Sequence, residues 1–203
     1  FCLSRGLGDV YKRQSQDLDS LRFLAGVAAR ELGGSEHVVL DVPLKSAVET
    51  LALFEGFLLG NYDFQNYKSK PVKRSLSKLT IVSKSKPKAA ELSEIETVVA
   101  AVHACRDLVN QPANDLYPEV MAQQAKKASK GLPIKIKVWE EKDLVAEGLG
   151  GIHAVGKGSS RPPRLVKLEY KPAGAKTSLA LVGKGITFDT GGLSLKPAES
   201  MVG

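Results

Sequence analysis

The 203-residue chain contains two cysteines, Cys2 and Cys105, too few and too far apart for a disulfide framework or a cysteine zinc knuckle. Such sparing use of thiols favours a reducing, cytoplasmic setting. Its three histidines, His37, His103 and His153, are widely spaced and form no His-Glu-x-x-His helix. Each reads as a surface or packed histidine. No apolar run approaches the roughly 20 residues that span a bilayer, and the first residues lack the sustained apolar core of a secretory signal. No membrane partner is expected. There is no internal repeat and no low-complexity tract.

Acidic residues are missing from one stretch. Between Phe64 and Ala90 there are eight basic residues (Lys68, Lys70, Lys73, Arg74, Lys78, Lys84, Lys86, Lys88) and no acidic one. These eight charges exceed the net charge of +7, so the rest of the chain is close to neutral. Lysines along a connector or strand edge discourage edge-to-edge pairing; a phosphate-binding patch is the sharper reading. Only Phe64 and Tyr67 lie nearby, which leaves little for base stacking. Nucleic acid is therefore retained only as an alternative partner.

What is present suits a globular fold: 43% of residues are hydrophobic and 25% charged, enough for one large or two modest domains. Helical spacing of Leu18, Leu21, Leu24, Ala25, Ala28 and Leu32 predicts a helix from Asp17, stopped at Gly33-Gly34. A strand follows over 37–42, a helix over 45–59 and a brief strand over 79–82. Ser93 with Glu96 spells a capping box for a helix running to the Asn110 turn. Pro118 opens another helix, to about Lys130. Ile134–Val138 alternates as a half-buried strand, 140–147 is a short helix, and 165–170 and 178–182 are further strands. Helices alternating with strands give an α/β fold with a mixed, largely parallel sheet covered on both faces.

The most informative run is Leu181 to Pro197, LVGKGITFDTGGLSLKP. Gly183, Gly185, Gly191 and Gly192 let the backbone turn sharply at the carboxyl end of the 178–182 strand, where ligands collect in open α/β sheets. Inside that bend lie Lys184, Asp189 and Lys196. The run resembles the signature of the leucyl aminopeptidase family, the cytosolic dinuclear metallo-exopeptidases. Two weaker matches lie upstream: Asn110-Gln111-Pro112-Ala113-Asn114, and Gly156-Lys157-Gly158-Ser159 followed by Arg161-Pro162-Pro163-Arg164. The likeness is firm over 92–203 and extends to 15–88 only in general pattern.

The resemblance implies that Lys184 and Asp189 are metal ligands and that Lys196 is a catalytic lysine. A lysine amine ligates only when neutral, and its ordinary pKa is about 10.4; an adjacent divalent cation lowers it. Asp189 would bridge two cations, which together activate water and stabilise the tetrahedral oxyanion, while Lys196 stays protonated and donates to that charge. The implied cofactors are two divalent ions, Mn2+ or Zn2+. The implied substrates are peptides, cleaved at their amino terminus with a preference for leucine, by a homohexamer. The family's downstream aspartate and Asp-x-Glu-x-Arg segment would lie beyond Gly203, so this polypeptide alone is expected to be inactive.

The expected organisation is a non-native leader over 1–14, a partial N-terminal α/β domain with its basic connector over 15–90, and the first part of a truncated catalytic domain over 91–203. One rival motif fails. Gly151 to Gly158 almost spells a phosphate-binding loop, but its last position is Gly158 instead of Ser or Thr, and Arg161-Pro162-Pro163 follows where a helix should. A noncatalytic scaffold or nucleic-acid-binding module using 64–90 is the alternative to the peptidase.

Overall fold

The computed structural model describes residues 17–71 and 76–201. The expected leader, and Lys73 and Arg74 of the basic segment, lie outside these residues. The contacts divide the chain into two compact units, with the break between Asn110 and Gln111.

In the first unit, helix α1 (Leu18–Glu31) starts where Asp17 accepts the Ser20 N–H at 2.7 Å. This capping interaction satisfies an amide that the helix itself leaves unpaired. Strand β1 (His37–Asp41) leads to α2 (Ala47–Gly60), capped by Ser46. Strand β2 (Lys78–Val82) lies parallel to β1, with His37 opposite Lys78 and Asp41 opposite Val82. The core is one cluster: Leu21, Ala25 and Ala29 of α1, Val38 of β1, Leu44, and Ala52, Leu53 and Phe57 of α2. Each large apolar side chain buried here contributes about 1.5–3 kcal/mol.

Glycines set the approach of α1 to α2. A Cβ at Gly56 would sit 2.2 Å from the Arg22 carbonyl oxygen, and one at Gly60 would sit 2.5 Å from the Gly26 Cα. Only hydrogen fits at these crossing points.

Helix α3 (Ala89–Asn110) begins four residues before the expected start at Ser93. The Glu91 carboxylate reaches back to the Lys88 N–H at 2.8 Å, so it caps the helix and leaves Ser93 inside it. Ala89 and Ala90, strong helix formers, extend the first turn. The contacts group α3 with the first unit, whereas the change of composition places a boundary at 90/91. Its apolar stripe is mostly exposed: Val99 is buried, but Val98, Val102 and Val109 face solvent.

The second unit opens with the Asn110–Asn114 turn, where the Leu116 N–H donates to the Pro112 carbonyl at 2.8 Å. Helix α4 (Pro118–Ser129) carries Pro at its first position. Strand β3 (Ile134–Trp139) pairs antiparallel with β4 (Leu165–Tyr170), Ile134 opposite Tyr170. Between them lie α5 (Glu141–Ala146) and α6 (Gly150–Gly156). The α6 helix takes up residues 151–156 of the run that nearly spelt a phosphate-binding loop, and the element before it is a helix, so the strand–loop–helix order of such a site is absent. Pro163 touches Gly156 so closely that a Cβ there would meet its ring at 2.5 Å.

The fold class is α/β, as expected, built here from one parallel and one antiparallel two-stranded ladder. A second expectation is corrected. Residues 178–182 do not form a strand. Strand formation requires a partner whose backbone groups complete the ladder, and the described residues offer none. Leu179, Leu181 and Val182 are accordingly 85%, 88% and 96% exposed.

Candidate metal and catalytic site

The run after residue 182 folds as an irregular segment ending in the 3-10 turn Ala198–Ser200. Its ordered feature is a loop centred on Asp189. One carboxylate oxygen accepts the Gly191 N–H at 2.8 Å, and the other accepts the Lys196 ammonium at 3.0 Å. The Lys196 backbone N–H donates to the Thr190 carbonyl, also at 2.8 Å, closing the loop behind the ion pair. Gly191 and Gly192 have φ of +90° and +70°, a region that disfavours side chains. At Gly191 a Cβ would also lie 2.3 Å from the Ser194 carbonyl. The glycine pair is thus a steric condition for Asp189 and Lys196 to meet.

These contacts set the electrostatics. The Gly191 N–H, then the hydrogen bond and charge of Lys196, hold the Asp189 carboxyl below the usual carboxylate range, and Lys184 adds to the effect. Asp189 is therefore anionic at neutral pH. Both partners remain open to solvent, at 49% and 38% side-chain exposure.

All three expected site residues thus lie in one segment. Asp189 and Lys196 are in contact, while Lys184 acts on Asp189 through its charge. Two contributors carry no signal in the sequence. One is the Thr190 carbonyl, a backbone atom. The other is Met121 of α4, whose sulfur lies 3.3 Å from where a Gly185 Cβ would be, bracing the bend next to Lys184. The Asp-Thr-Gly-Gly order, in contrast, already encodes the turn in which an aspartate accepts the amide two residues on.

The chemistry of the donors fits a divalent cation in part. An amine nitrogen and an ionised carboxylate suit zinc or manganese, but no cluster of three His, Cys, Asp or Glu side chains able to hold a metal occurs among the described residues. The histidines are engaged elsewhere: His37 with Thr80 at 2.9 Å, His153 with Glu141 at 3.5 Å, and His103 tilted against the Tyr62 ring. The later of the two weaker motifs packs against Tyr117 and Glu119 at the start of α4. The Arg161 guanidinium stacks 3.9 Å above the Tyr117 ring, and Arg164 donates to the Pro162 and Pro163 carbonyls beside Glu119.

The family description "Cytosol aminopeptidase family, catalytic domain" matches residues 103–203. The probable cytosol aminopeptidase of Leifsonia xyli subsp. xyli is 45% identical over 191 residues, which cover 93% of this chain and 38% of that protein. That of Corynebacterium diphtheriae is 45% identical over 204 residues, covering 99% and 40% respectively. The chain belongs to the cytosol aminopeptidase family. Solved structures agree in fold with this membership. The bottromycin maturation enzyme BotP in complex with Mn matches at a TM-score of 0.79 and 34% identity, over 91% of this chain and 40% of that one. The cytosol aminopeptidase of Coxiella burnetii matches at a TM-score of 0.69 and 28% identity, over 87% and 38%. The chain spans about two fifths of the length of these proteins.

Proposed function

We propose that this chain carries part of the active site of a metal-dependent aminopeptidase, which releases amino-terminal residues from peptides with the leucine preference of the family name. The observation that carries the reading is the Asp189–Lys196 pair at 3.0 Å, held in a glycine-dependent loop within reach of the Lys184 charge. Lys184 and Asp189 are the ligands, with Mn2+ or Zn2+ as the cations. When bound, two such cations supply Lewis-acid activation of water and neutralise charge on the scissile carbonyl.

The roles of the chain's own groups follow from their contacts. Asp189 is kept ionised by the Gly191 amide and Lys196, so it presents a carboxylate to a cation without first losing a proton. Lys196 is fixed at its backbone by Thr190 and at its ammonium by Asp189, which leaves further N–H donors for an oxyanion. Hydrolysis consumes one water, breaks the carbonyl–nitrogen bond and returns a proton to the leaving amine.

The remaining parts of the reading are a homohexameric, cytoplasmic parent protein and further ligands supplied from outside this chain, so that this polypeptide alone does not turn over peptide. No described helix is long and apolar enough to cross a membrane. Nothing among the described residues adds to the alternative of a nucleic-acid-binding module. The two aromatic rings beside the basic segment, Phe64 and Tyr67, face each other at 5.9 Å.

The test is made in the full-length protein. Lys196→Ala should lower kcat by about 10²–10³-fold, the usual cost of one oxyanion donor, with bound metal unchanged in elemental analysis. Asp189→Ala should lose metal as well. Unchanged kcat in Lys196→Ala together with full metal content in Asp189→Ala would refute the assignment.

A further inference from the structure

A second constellation lies in the first unit. A cleft of about 320 Å³ opens where α1, the end of α2 and α3 come together. Its charged lining consists of three arginines, Arg22, Arg30 and Arg106, and no carboxylate lines it. Phe23, 61% exposed, and Leu59 supply an apolar wall.

The three guanidinium groups differ in how their charge is met. Arg22 is answered by Glu55 at 2.6 Å and Asp19 at 2.9 Å. Arg106 stacks 3.9 Å over the Tyr62 ring and donates one N–H to the Leu59 carbonyl at 3.1 Å, without a carboxylate partner among the described residues. Arg30, on the last turn of α1, has no ion pair or side-chain hydrogen bond among the described residues. Helix capping explains one N–H of Arg106 and does not explain Arg30. A guanidinium carries five donors in a planar fork matched to carboxylate and phosphate oxygens. Two forks with donors to spare, beside an exposed phenyl ring in one concave site, are complementary to an anion bearing an apolar group.

We propose that this cleft is a binding site for a small organic oxyanion, a phosphate monoester or carboxylate with an apolar body, held by Arg30 and Arg106 with its body against Phe23 and Leu59. All of its lining residues belong to the first unit, and none is among those assigned to peptide hydrolysis. The site therefore stands or falls separately from the peptidase reading.

Phenyl phosphate, phenylacetate and the neutral benzyl alcohol serve as probes, titrated into the chain while amide NMR shifts are followed. Saturable binding of phenyl phosphate or phenylacetate at about millimolar concentration or below is expected, weakening as salt screens the charges. The tighter of the two identifies the natural anion as phosphate or carboxylate. Arg30→Gln, a change compatible with the helix, should weaken binding about tenfold or more, and Arg106→Lys should weaken it less, since charge remains while the fork is lost. Because Lys184 and Lys196 also attract anions, the Lys184→Gln, Lys196→Gln double variant is measured in parallel and should bind as tightly as the parent. The proposal is overturned if neither anion saturates, if benzyl alcohol binds equally well, if Arg30→Gln leaves affinity unchanged, or if the lysine double variant abolishes binding.

Discussion

The α1–α2 pair and the segment from 177 to 201 are opposite ways of using sequence. The first rests mainly on packing: two helices meet through glycines, bury Leu21, Ala25, Ala29, Ala52, Leu53 and Phe57 in one cluster, and add one ion pair, Arg22 to Glu55. The second is equally apolar in places, yet leaves Leu179, Leu181 and Val182 in solvent and relies on local hydrogen bonds, three of them in the loop around Asp189. The residues proposed for peptide hydrolysis lie in the second. A side chain that must meet a ligand cannot also be satisfied by the core, so its position rests on local turn geometry.

That contrast can be broken or sharpened by substitution. Phe57→Ala removes the largest buried side chain of the first unit, which is 1% exposed, and should cost about 3–5 kcal/mol by urea unfolding. A loss below 1 kcal/mol would mean that the helix pair is not the stabilising element. Gly56→Ala adds a methyl group 2.2 Å from the Arg22 carbonyl. It should destabilise by about 1–3 kcal/mol through overpacking, although alanine is the better helix former; a stabilised variant would show that the helices separate freely.

A smaller effect depends on pH. The Ser20 backbone N–H, foremost, holds the Asp17 carboxyl below the usual aspartate range. A carboxyl with a folded pKa below its unfolded value, about 3.9, stabilises the fold above that value and loses the contribution as pH falls through the folded one. Unfolding of Asp17→Ala measured from neutral pH downward should therefore show a shallower acid limb than the parent, and parallel curves would remove Asp17 as a cap. The smallest change is expected in the second region. Leu181→Ser, at 88% exposure, should move the stability of this chain by no more than about 0.5 kcal/mol. A large loss would reveal packing around Leu181.

Much of this was legible in advance. The helix from Asp17 and the helix over 45–59 are read from apolar spacing, and the side chains of Asp17 and Ser46 then cap them as such residues do before a helical pattern. Ile134–Val138 reads as a strand because alternation is a local property, and the observed strand is one residue longer. The start of α3 was misplaced because two chemically valid caps compete, and Glu91 reaching Lys88 takes more alanine into the helix than Ser93 would. The 178–182 strand failed for a different reason. Apolar content measures the tendency to be buried, whereas a ladder needs a neighbour that no local window contains.

The same division holds for function. The order of Lys184, Asp189, Gly191 and Lys196, and with it the turn that joins an aspartate to the amide two residues on, is written along the chain, since both depend only on neighbours in sequence. That α1 and α2 approach to glycine contact, that Met121 lies against Gly185, and that Arg30 and Arg106 share a cleft is seen in the folded molecule alone. These relations join residues far apart in sequence, and their energies come from close packing and charge proximity, which exist only once the chain has folded.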